Sequence, residues 1–177
     1  MRVCVFCGAS PAVEASFLEL AAEMGQALAA KAEHVVFGGG GVGMMGTLAS
    51  AVLADGGKVI GVLPRFLFER EPPHPGVADI RVVDTMHERK AIMYSEADAF
   101  VILPGGFGTL DETLEAVTWR QLALHAKPVF FVGGDFWLGL RQQFDAMHAH
   151  GFLSDRDRGL VSFYETPAQA ASALASP

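Results

Sequence analysis

The sequence has few charged residues, little basic character and no long apolar run. Charged residues make up 19% of its 177 positions, and the 20 acidic residues outnumber the 13 basic ones. The basic residues are scattered, so we expect no nucleic-acid partner. No apolar stretch approaches the roughly 20 residues that cross a membrane, and the N-terminus shows no signal-peptide pattern. We therefore expect a cytoplasmic protein with no membrane partner.

Cysteine and histidine are also sparse. The two cysteines, Cys4 and Cys7, are spaced C-x-x-C, but in redox proteins this motif opens a helix. Here Cys4 lies in an apolar run that predicts a strand, so Cys7, three positions later, should face the opposite side. Two small buried side chains are the favoured interpretation. The six histidines are dispersed, and His148 and His150 cannot share a helical face, so we expect no metal site.

Short apolar runs alternate with helical periodicity along the whole chain. We predict strands at 2–7, 34–37, 58–63, 80–83, 99–103, 127–132 and 161–163. We predict helices at 12–31, 44–54, 86–97, 136–150 and 167–174, with one more beginning after Thr109. Residues 64–76 are rich in proline and predict a surface loop over the edge of the sheet. The order indicates one domain with a Rossmann-like, doubly wound parallel α/β sheet and helices on both faces.

Three glycine turns follow predicted strands: Gly8–Ser10, Gly38–Gly46 and Gly105–Thr109. In a sheet of this kind, ligands bind beyond the carboxyl ends of the strands, so the three turns should share one rim. The third turn lies between a buried strand and a helix. Free backbone N–H groups and the helix dipole favour an anion there. This turn predicts a phosphate site.

The turn Gly38–Gly46 contains G-x-G-x-x-G twice, which is a weak dinucleotide signal. The acidic residue that should follow about 20 positions later is absent, because that neighbourhood is Leu63-Pro64-Arg65. Ligand contact and close packing against neighbouring backbone both remain compatible with this turn.

A predicted helix begins with Thr85 and Glu88, which match a capping box. Arg89 and Lys90 follow, and cations near a helix start oppose the dipole. An anionic ligand or a carboxylate partner is therefore favoured for Arg89. Lys90 is equally compatible with such a role and with an exposed surface.

Glu112 has two open interpretations. Thr109 and Glu112 match a second capping box, which would give Glu112 a purely structural role. However, Glu115 and Thr118 continue along roughly the same helical stripe beside the phosphate site, which favours chemistry. Because Gln can replace Glu in a capping box, Glu112→Gln should keep stability in either case and abolish activity only if Glu112 is chemical.

Four segments together resemble one known family. In chain order they are VCVFCGAS (3–10), VVFGGGGVGMMG (35–46), MHERK (86–90) and PGGFGTLDE (104–112). They are similar to the Lonely Guy family of cytokinin riboside 5′-monophosphate phosphoribohydrolases, some of which carried the label possible lysine decarboxylase. Ala9, where the family commonly has serine, and the proline-rich segment 72–76 depart from its pattern.

The resemblance implies hydrolysis of the N-glycosidic bond of a nucleoside 5′-monophosphate without any cofactor, in a homodimer. It implies Arg89 and Glu112 as the catalytic pair, and beside Arg89 we expect Glu112 to stay ionised at neutral pH. It implies a substrate site formed by Gly105, Gly106, Gly108, Thr109, Asp111, Lys90, Glu71 and Thr118. We add Gly8, Ser10, Gly43 and Met86 to this predicted site. Trp119 and Trp137 suit either of two positions, the interface between the subunits or the hydrophobic core. The base is adenine or an N6-prenylated adenine.

Two other functions are compatible with parts of this pattern. A carrier of the same fold would hold a phosphorylated ligand without cleaving it. A decarboxylase would need pyridoxal phosphate on a lysine, and none of Lys31, Lys58, Lys90 and Lys127 has a sequence setting that suggests a Schiff base.

Overall fold

The computed structural model describes residues 1–174, which form seven strands and seven α-helices. The strands are β1 (Arg2–Phe6), β2 (His34–Phe37), β3 (Val59–Pro64), β4 (Asp79–Val83), β5 (Ala99–Ile102), β6 (Val129–Val132) and β7 (Val161–Tyr164). The helices are α1 (Ala15–Ala29), α2 (Gly43–Ala54), α3 (Met86–Glu96), α4 (Phe107–Gln121), α5 (Leu138–Ala149), α6 (Asp155–Arg158) and α7 (Pro167–Leu174). No helix within these residues is both long enough and apolar enough to span a membrane.

The strands form one parallel sheet in the order β4-β3-β2-β1-β5-β6-β7. The chain winds outward from β1 to β4, returns to β5 beside β1, and winds outward again to β7. This confirms the predicted doubly wound α/β sheet. The winding reverses between β1 and β5, so the loops after these two strands meet at the carboxyl edge, where Gly8 N donates to Pro104 O at 3.0 Å.

Helices cover both faces of the sheet. Val3, Val5 and Cys7 join the core under α1, α2 and α7, whereas Cys4 and Phe6 join the core under α3, α4 and α5. The two cysteines thus face opposite sides, as predicted, and both thiols are free and buried. The inner strands β2, β3, β5 and β6 are buried on both faces, which explains why their sequences are apolar runs.

Several predicted boundaries were wrong. Helix α1 spans Ala15–Ala29 instead of 12–31. Helix α5 begins at Leu138, because Gly133 and Gly134 take positive φ angles and a 3-10 turn, Gly134–Trp137, precedes it. The short helix α6 was not predicted, although Ser154 and Asp157 form a capping box at its start.

The prediction that residues 64–76 lie over the edge of the sheet was also wrong. After β3 and a 3-10 turn, Arg65–Leu67, this segment crosses the carboxyl end of β2. Gly41 N donates to Pro72 O at 2.7 Å and His74 N donates to Gly39 O at 3.0 Å. The glycine turn leaves backbone groups unpaired, and the proline-rich segment pairs with them.

Candidate active site

A cleft of about 510 Å³ opens at the carboxyl edge of the sheet, where the winding reverses. Its walls come from the loop after β1, the start of α1, the first turns of α3 and α4, and the proline-rich segment 64–76. Ten of the predicted site residues line it: Gly8, Ser10, Glu71, Met86, Arg89, Gly105, Gly106, Gly108, Thr109 and Glu112.

One wall of the cleft is the start of α4. Gly106 is the N-cap residue and offers no side-chain cap, and the first intrahelical bond runs from Leu110 N to Gly106 O. The N–H groups of Phe107, Gly108 and Thr109 therefore have no intrahelical acceptor. A Cβ at Gly106 or Gly108 would meet nothing within 4 Å, so packing does not require glycine at either position. The bare backbone instead leaves space for a ligand, and the dipole favours an anion.

Glu112 is buried in the second turn of α4. The prediction of a capping box at Thr109 was wrong, because α4 begins earlier, at Phe107, and Thr109 is already helical. Glu112 Oε1 lies 3.7 Å from Arg89 Nη2, and both side chains are less than a tenth exposed. Arg89 also donates to Gly38 O at 3.3 Å, while its Nε has no partner within residues 1–174. The structure thus brings the predicted catalytic pair together inside the cleft.

Burial raises the pKa of Glu112 from 4.5 to about 7. Arg89 opposes this shift of the pKa, whereas the charges of Asp111 and Glu71 reinforce it. Near neutral pH the group is therefore divided between acid and carboxylate. The expectation of a fully ionised Glu112 is corrected, because desolvation outweighs the attraction of Arg89. A pKa near the working pH suits a general acid–base group.

Lys90 and Asp111 do not line the cleft. Lys90 Nζ lies 3.1 Å from Asp111 Oδ2 and 2.7 Å from Glu115 Oε2, which joins α3 to α4. Desolvation opposes protonation of Lys90, but the two carboxylates raise its pKa overall. The hydroxyl of Tyr94 lies 2.7 Å from Glu112 O and 3.0 Å from Glu115 Oε2 in the same cluster. The neighbours of Lys90 are therefore carboxylates rather than solvent.

Thr118 lies away from the cleft. Its side chain is exposed, its hydroxyl donates to Leu114 O at 2.7 Å, and it borders a separate groove between α4 and α5. Glu112, Glu115 and Thr118 do not share one stripe, because each step of three residues falls about 60° short of a full helical turn. The predicted stripe was wrong for this reason.

The glycines of the turn Gly38–Gly46 pack against protein. A Cβ at Gly38 would overlap the guanidinium of Arg89, and one at Gly46 would overlap Gly41 O. Gly43 takes φ +60° and its Cβ position lies 2.5 Å from Ser10 O, so it supports the loop after β1 without lining the cleft. The glycines of this turn therefore serve close packing, whereas Met44 and Met45 at its end line the cleft, so both interpretations of the turn hold in part.

Sequence reasoning did not assign two aromatic residues to the site. Phe17 of α1 and Phe136 line the cleft, with ring centroids 5.5 Å apart in an edge-to-face arrangement. Phe136 follows the glycines at the end of β6. This position beyond the carboxyl end of a strand is the sequence signal that could have placed Phe136 beside the cleft. In contrast, Trp137 is buried and donates to Val132 O at 3.2 Å, and Trp119 packs against Tyr94. These contacts assign both tryptophans to core packing.

Comparisons with known proteins agree with this arrangement. A family model described as "Possible lysine decarboxylase" matches residues 45–174. Over 168 residues the chain is 45% identical to a probable cytokinin riboside 5′-monophosphate phosphoribohydrolase of Oryza sativa subsp. japonica, covering 94% of this chain and 74% of that protein. Over 161 residues it is 40% identical to a cytokinin riboside 5′-monophosphate phosphoribohydrolase of Arabidopsis thaliana, covering 90% and 75%.

Solved structures share the fold at low sequence identity. The molybdenum cofactor binding protein of Rippkaea orientalis superposes with a TM-score of 0.76 at 21% identity, covering 98% of this chain and 94% of that one. The molybdenum cofactor carrier protein of Chlamydomonas reinhardtii gives 0.75 at 22%, with the same coverage. These two similarities concern the fold alone. The sequence matches go further, and by them the chain belongs to the Lonely Guy family of cytokinin riboside 5′-monophosphate phosphoribohydrolases, the family that the matching model describes as possible lysine decarboxylases.

Proposed function

We propose that this protein hydrolyses the N-glycosidic bond of an adenosine 5′-monophosphate, plain or N6-modified, to the free base and ribose 5-phosphate. The observation that carries the proposal is the buried pair of Arg89 and Glu112, 3.7 Å apart, in the same cleft as the uncapped start of α4. The names of the relatives state this reaction for cytokinin riboside 5′-monophosphates.

The charges of the cleft give the substrate one orientation. The start of α4 attracts the 5′-phosphate, whereas Glu112 and Glu71 repel it. The phosphate therefore belongs against Gly106–Thr109, with the ribose reaching towards Glu112. Binding of the phosphate away from C1′ supplies the energy that positions the bond for cleavage.

Glu112 then acts at C1′. As the base leaves with the electrons of the glycosidic bond, positive charge develops on the ribose, and the carboxylate of Glu112 stabilises it. Water adds to C1′, and Glu112 accepts its proton; the departing base nitrogen takes up a proton in turn. Arg89 orients Glu112 and favours its carboxylate form.

The two competing functions fit the cleft less well. A carrier does not need a buried group whose pKa lies near 7 beside the ligand. A Schiff base needs an accessible lysine, and no lysine lines the cleft within residues 1–174.

The test is release of free base from adenosine 5′-monophosphate and from isopentenyladenosine 5′-monophosphate, measured by chromatography. We expect release by the wild type and a rate at least about 100-fold lower for Glu112→Gln. Glu23→Gln, the same change on an exposed position of α1, should keep the wild-type rate. Binding of both nucleotides without release would instead identify a carrier.

For its assembly we propose a homodimer formed through the outer face of α4. Leu114, Thr118 and Leu122 are exposed and follow each other at intervals of four residues, and exposed Leu124 adjoins them. A stripe of exposed leucines around one threonine is typical of a protein interface. We also propose a cytoplasmic location, to which two free buried thiols are suited.

A further inference from the structure

Two neighbouring sets of contacts join helices α3 and α4. Inside the cleft, Arg89 Nη2 of α3 lies 3.7 Å from Glu112 Oε1 of α4. Outside it, the next residue of α3, Lys90, pairs with Asp111 at 3.1 Å and with Glu115 at 2.7 Å. Consecutive residues of a helix point about 100° apart. The second set of contacts therefore lies behind Arg89 and Glu112 rather than beside the ligand.

The ammonium group of Lys90 is buried between its two partners. Only 8% of the residue is exposed, whereas the side chains of Asp111 and Glu115 are 58% and 30% exposed. Its Nζ atom lies within 3.3 Å of both carboxylate oxygens of Asp111 and 2.7 Å from one oxygen of Glu115. These three oxygens use all three N–H donors of the ammonium group, so none is left for a phosphate.

Tyr94 adds a contact to Glu112 itself. It is buried four residues after Lys90, on the same face of α3. Its hydroxyl lies 2.7 Å from Glu112 O and 3.0 Å from Glu115 Oε2, and both of these atoms are acceptors. We call Lys90, Tyr94, Asp111 and Glu115 the α3–α4 cluster. The cluster holds the turn of α4 that carries Glu112 from the side opposite the cleft.

The charge of Lys90 also acts on Glu112. Burial is the largest influence and raises the pKa of Glu112, whereas Lys90 lowers this pKa. The titratable groups around Glu112 are Arg89, Lys90 and Tyr94 of α3, Asp111 of α4, Glu71 of the segment 64–76, and the thiols of Cys4 and Cys7 in and after β1. Without Lys90, the two carboxylates of the α3–α4 cluster would be uncompensated and would favour the neutral form of Glu112 further.

Building on the proposed function, we propose that Lys90 does not bind the substrate and instead acts as a positioning residue, which holds Glu112 opposite Arg89 through the two carboxylates of the α3–α4 cluster. The family resemblance implied a place for Lys90 in the substrate site. The two roles differ in the kinetic constant that they control, because a positioning residue affects the chemical step and a phosphate contact affects binding.

The first test is steady-state kinetics with adenosine 5′-monophosphate. Methionine fills the space of Lys90 without its charge, so Lys90→Met should lower kcat at least about 10-fold, as a displaced catalytic group implies, with KM within about two-fold of the wild type. Lys90→Arg keeps the charge and should recover most of kcat. Lys31→Met, the same change at an exposed lysine, should match the wild type. A raised KM with an unchanged kcat in Lys90→Met would assign Lys90 to the substrate and overturn the inference.

The second test is the pH dependence of kcat/KM. The rise of activity that reports ionisation of Glu112 should move to higher pH in Lys90→Met, by roughly half a unit or more, because two uncompensated carboxylates repel its charge. The triple variant Lys90→Met/Asp111→Asn/Glu115→Gln removes all three charges, so the rise should return to the wild-type pH or below it while kcat stays low. The triple variant also tests the clamp if Lys90→Met alone does not fold. An unmoved rise in Lys90→Met, or wild-type kcat in the triple variant, would contradict the role of Lys90.

Two measurements without turnover separate this inference from the proposed hydrolysis. Calorimetry should show equal affinity for ribose 5-phosphate in the wild type and Lys90→Met. Carbon-13 NMR of labelled glutamate, assigned with Glu112→Gln, should show that Glu112 titrates at higher pH in Lys90→Met. If no base is released but both results are found, the hydrolase fails and the placement of Glu112 by Lys90 stands. If base is released and Lys90→Met binds ribose 5-phosphate at least about 10-fold more weakly, Lys90 contacts the substrate and the inference fails.

Discussion

Glu112 shows how burial and charge compete at a single residue. Burial and two further acidic groups favour the neutral form of its carboxyl group, while Arg89 and, more weakly, Lys90 favour the carboxylate; Arg89 lies at a distance longer than a hydrogen bond. The pKa is therefore higher in the folded protein than in the unfolded chain. The folded state binds more protons between pH 4.5 and about 7, so Glu112 lowers the free energy of unfolding as pH rises through this window.

Glu112→Gln removes this dependence, so the sequence-based expectation that this change keeps stability applies at acidic pH and not at alkaline pH. A glutamine resembles the protonated side chain, so the variant and the wild type should differ little in stability at pH 5 apart from local packing. At pH 8 the wild type buries a charge and the variant does not. The free energy of unfolding of the variant, taken relative to that of the wild type, should therefore be up to about 3 kcal/mol higher at pH 8 than at pH 5. Urea unfolding at both pH values measures this. Equal differences at pH 5 and pH 8 would show that Glu112 keeps an ordinary pKa.

The sequence identified several individual residues but not their surroundings. The motifs predicted that Arg89 and Glu112 belong to one site, and the structure brings them together. The burial that raises the pKa of Glu112 depends on side chains distant in sequence, and Glu71 is brought to the cleft by hydrogen bonds that a linear pattern does not reveal. The start of α4 was misplaced because bare backbone, rather than a capping side chain, begins it.

At the scale of elements, the inner strands were predictable because they are short apolar runs buried on both faces. The position of the proline-rich segment was not predictable, because it depends on a bridge between Pro73 and Gly40, which lies 33 residues earlier in the chain. The strand–turn–helix unit of β5 and α4 was predicted as an anion site from local sequence, because helix termini have the same free N–H groups in any fold.

Gly108→Ala tests this anion site. Alanine is favoured over glycine in a helix, so stability should stay the same or rise by up to about 1 kcal/mol. The added methyl group would occupy the space proposed for the phosphate, so KM for adenosine 5′-monophosphate should rise at least about 10-fold, as one lost charge-assisted contact implies. Thermal unfolding and steady-state kinetics measure the two effects.

Gly139→Ala is the matched control for this change. Gly139 is the second residue of α5, as Gly108 is of α4, and a Cβ there also meets nothing within 4 Å. The control should show the same effect on stability with an unchanged KM. A Gly108→Ala enzyme with wild-type KM would place the phosphate elsewhere.

At the scale of the whole molecule, α4 serves two surfaces. Its first turn borders the cleft, whereas its outer face carries the stripe of Leu114 and Thr118, which Leu122 continues directly after the helix. Thr118, which the family resemblance implied for the substrate site, lies on this stripe and outside the cleft of its own chain. A homodimer through the stripe would bury Thr118 at the subunit contact.

Leu122→Glu tests the proposed dimer. A charge on the stripe would have to be desolvated on association, and an unpaired buried charge is costly, so the variant should be monomeric where the wild type is dimeric. Leu138→Glu makes the same change at an exposed leucine of α5 and should leave the dimer intact. Sedimentation velocity at matched concentrations distinguishes the two states. If the wild type sediments as a monomer, the subunits do not associate. If Leu138→Glu dissociates the dimer and Leu122→Glu does not, the subunits meet through another surface. In either case the exposed leucines of the stripe need a different explanation.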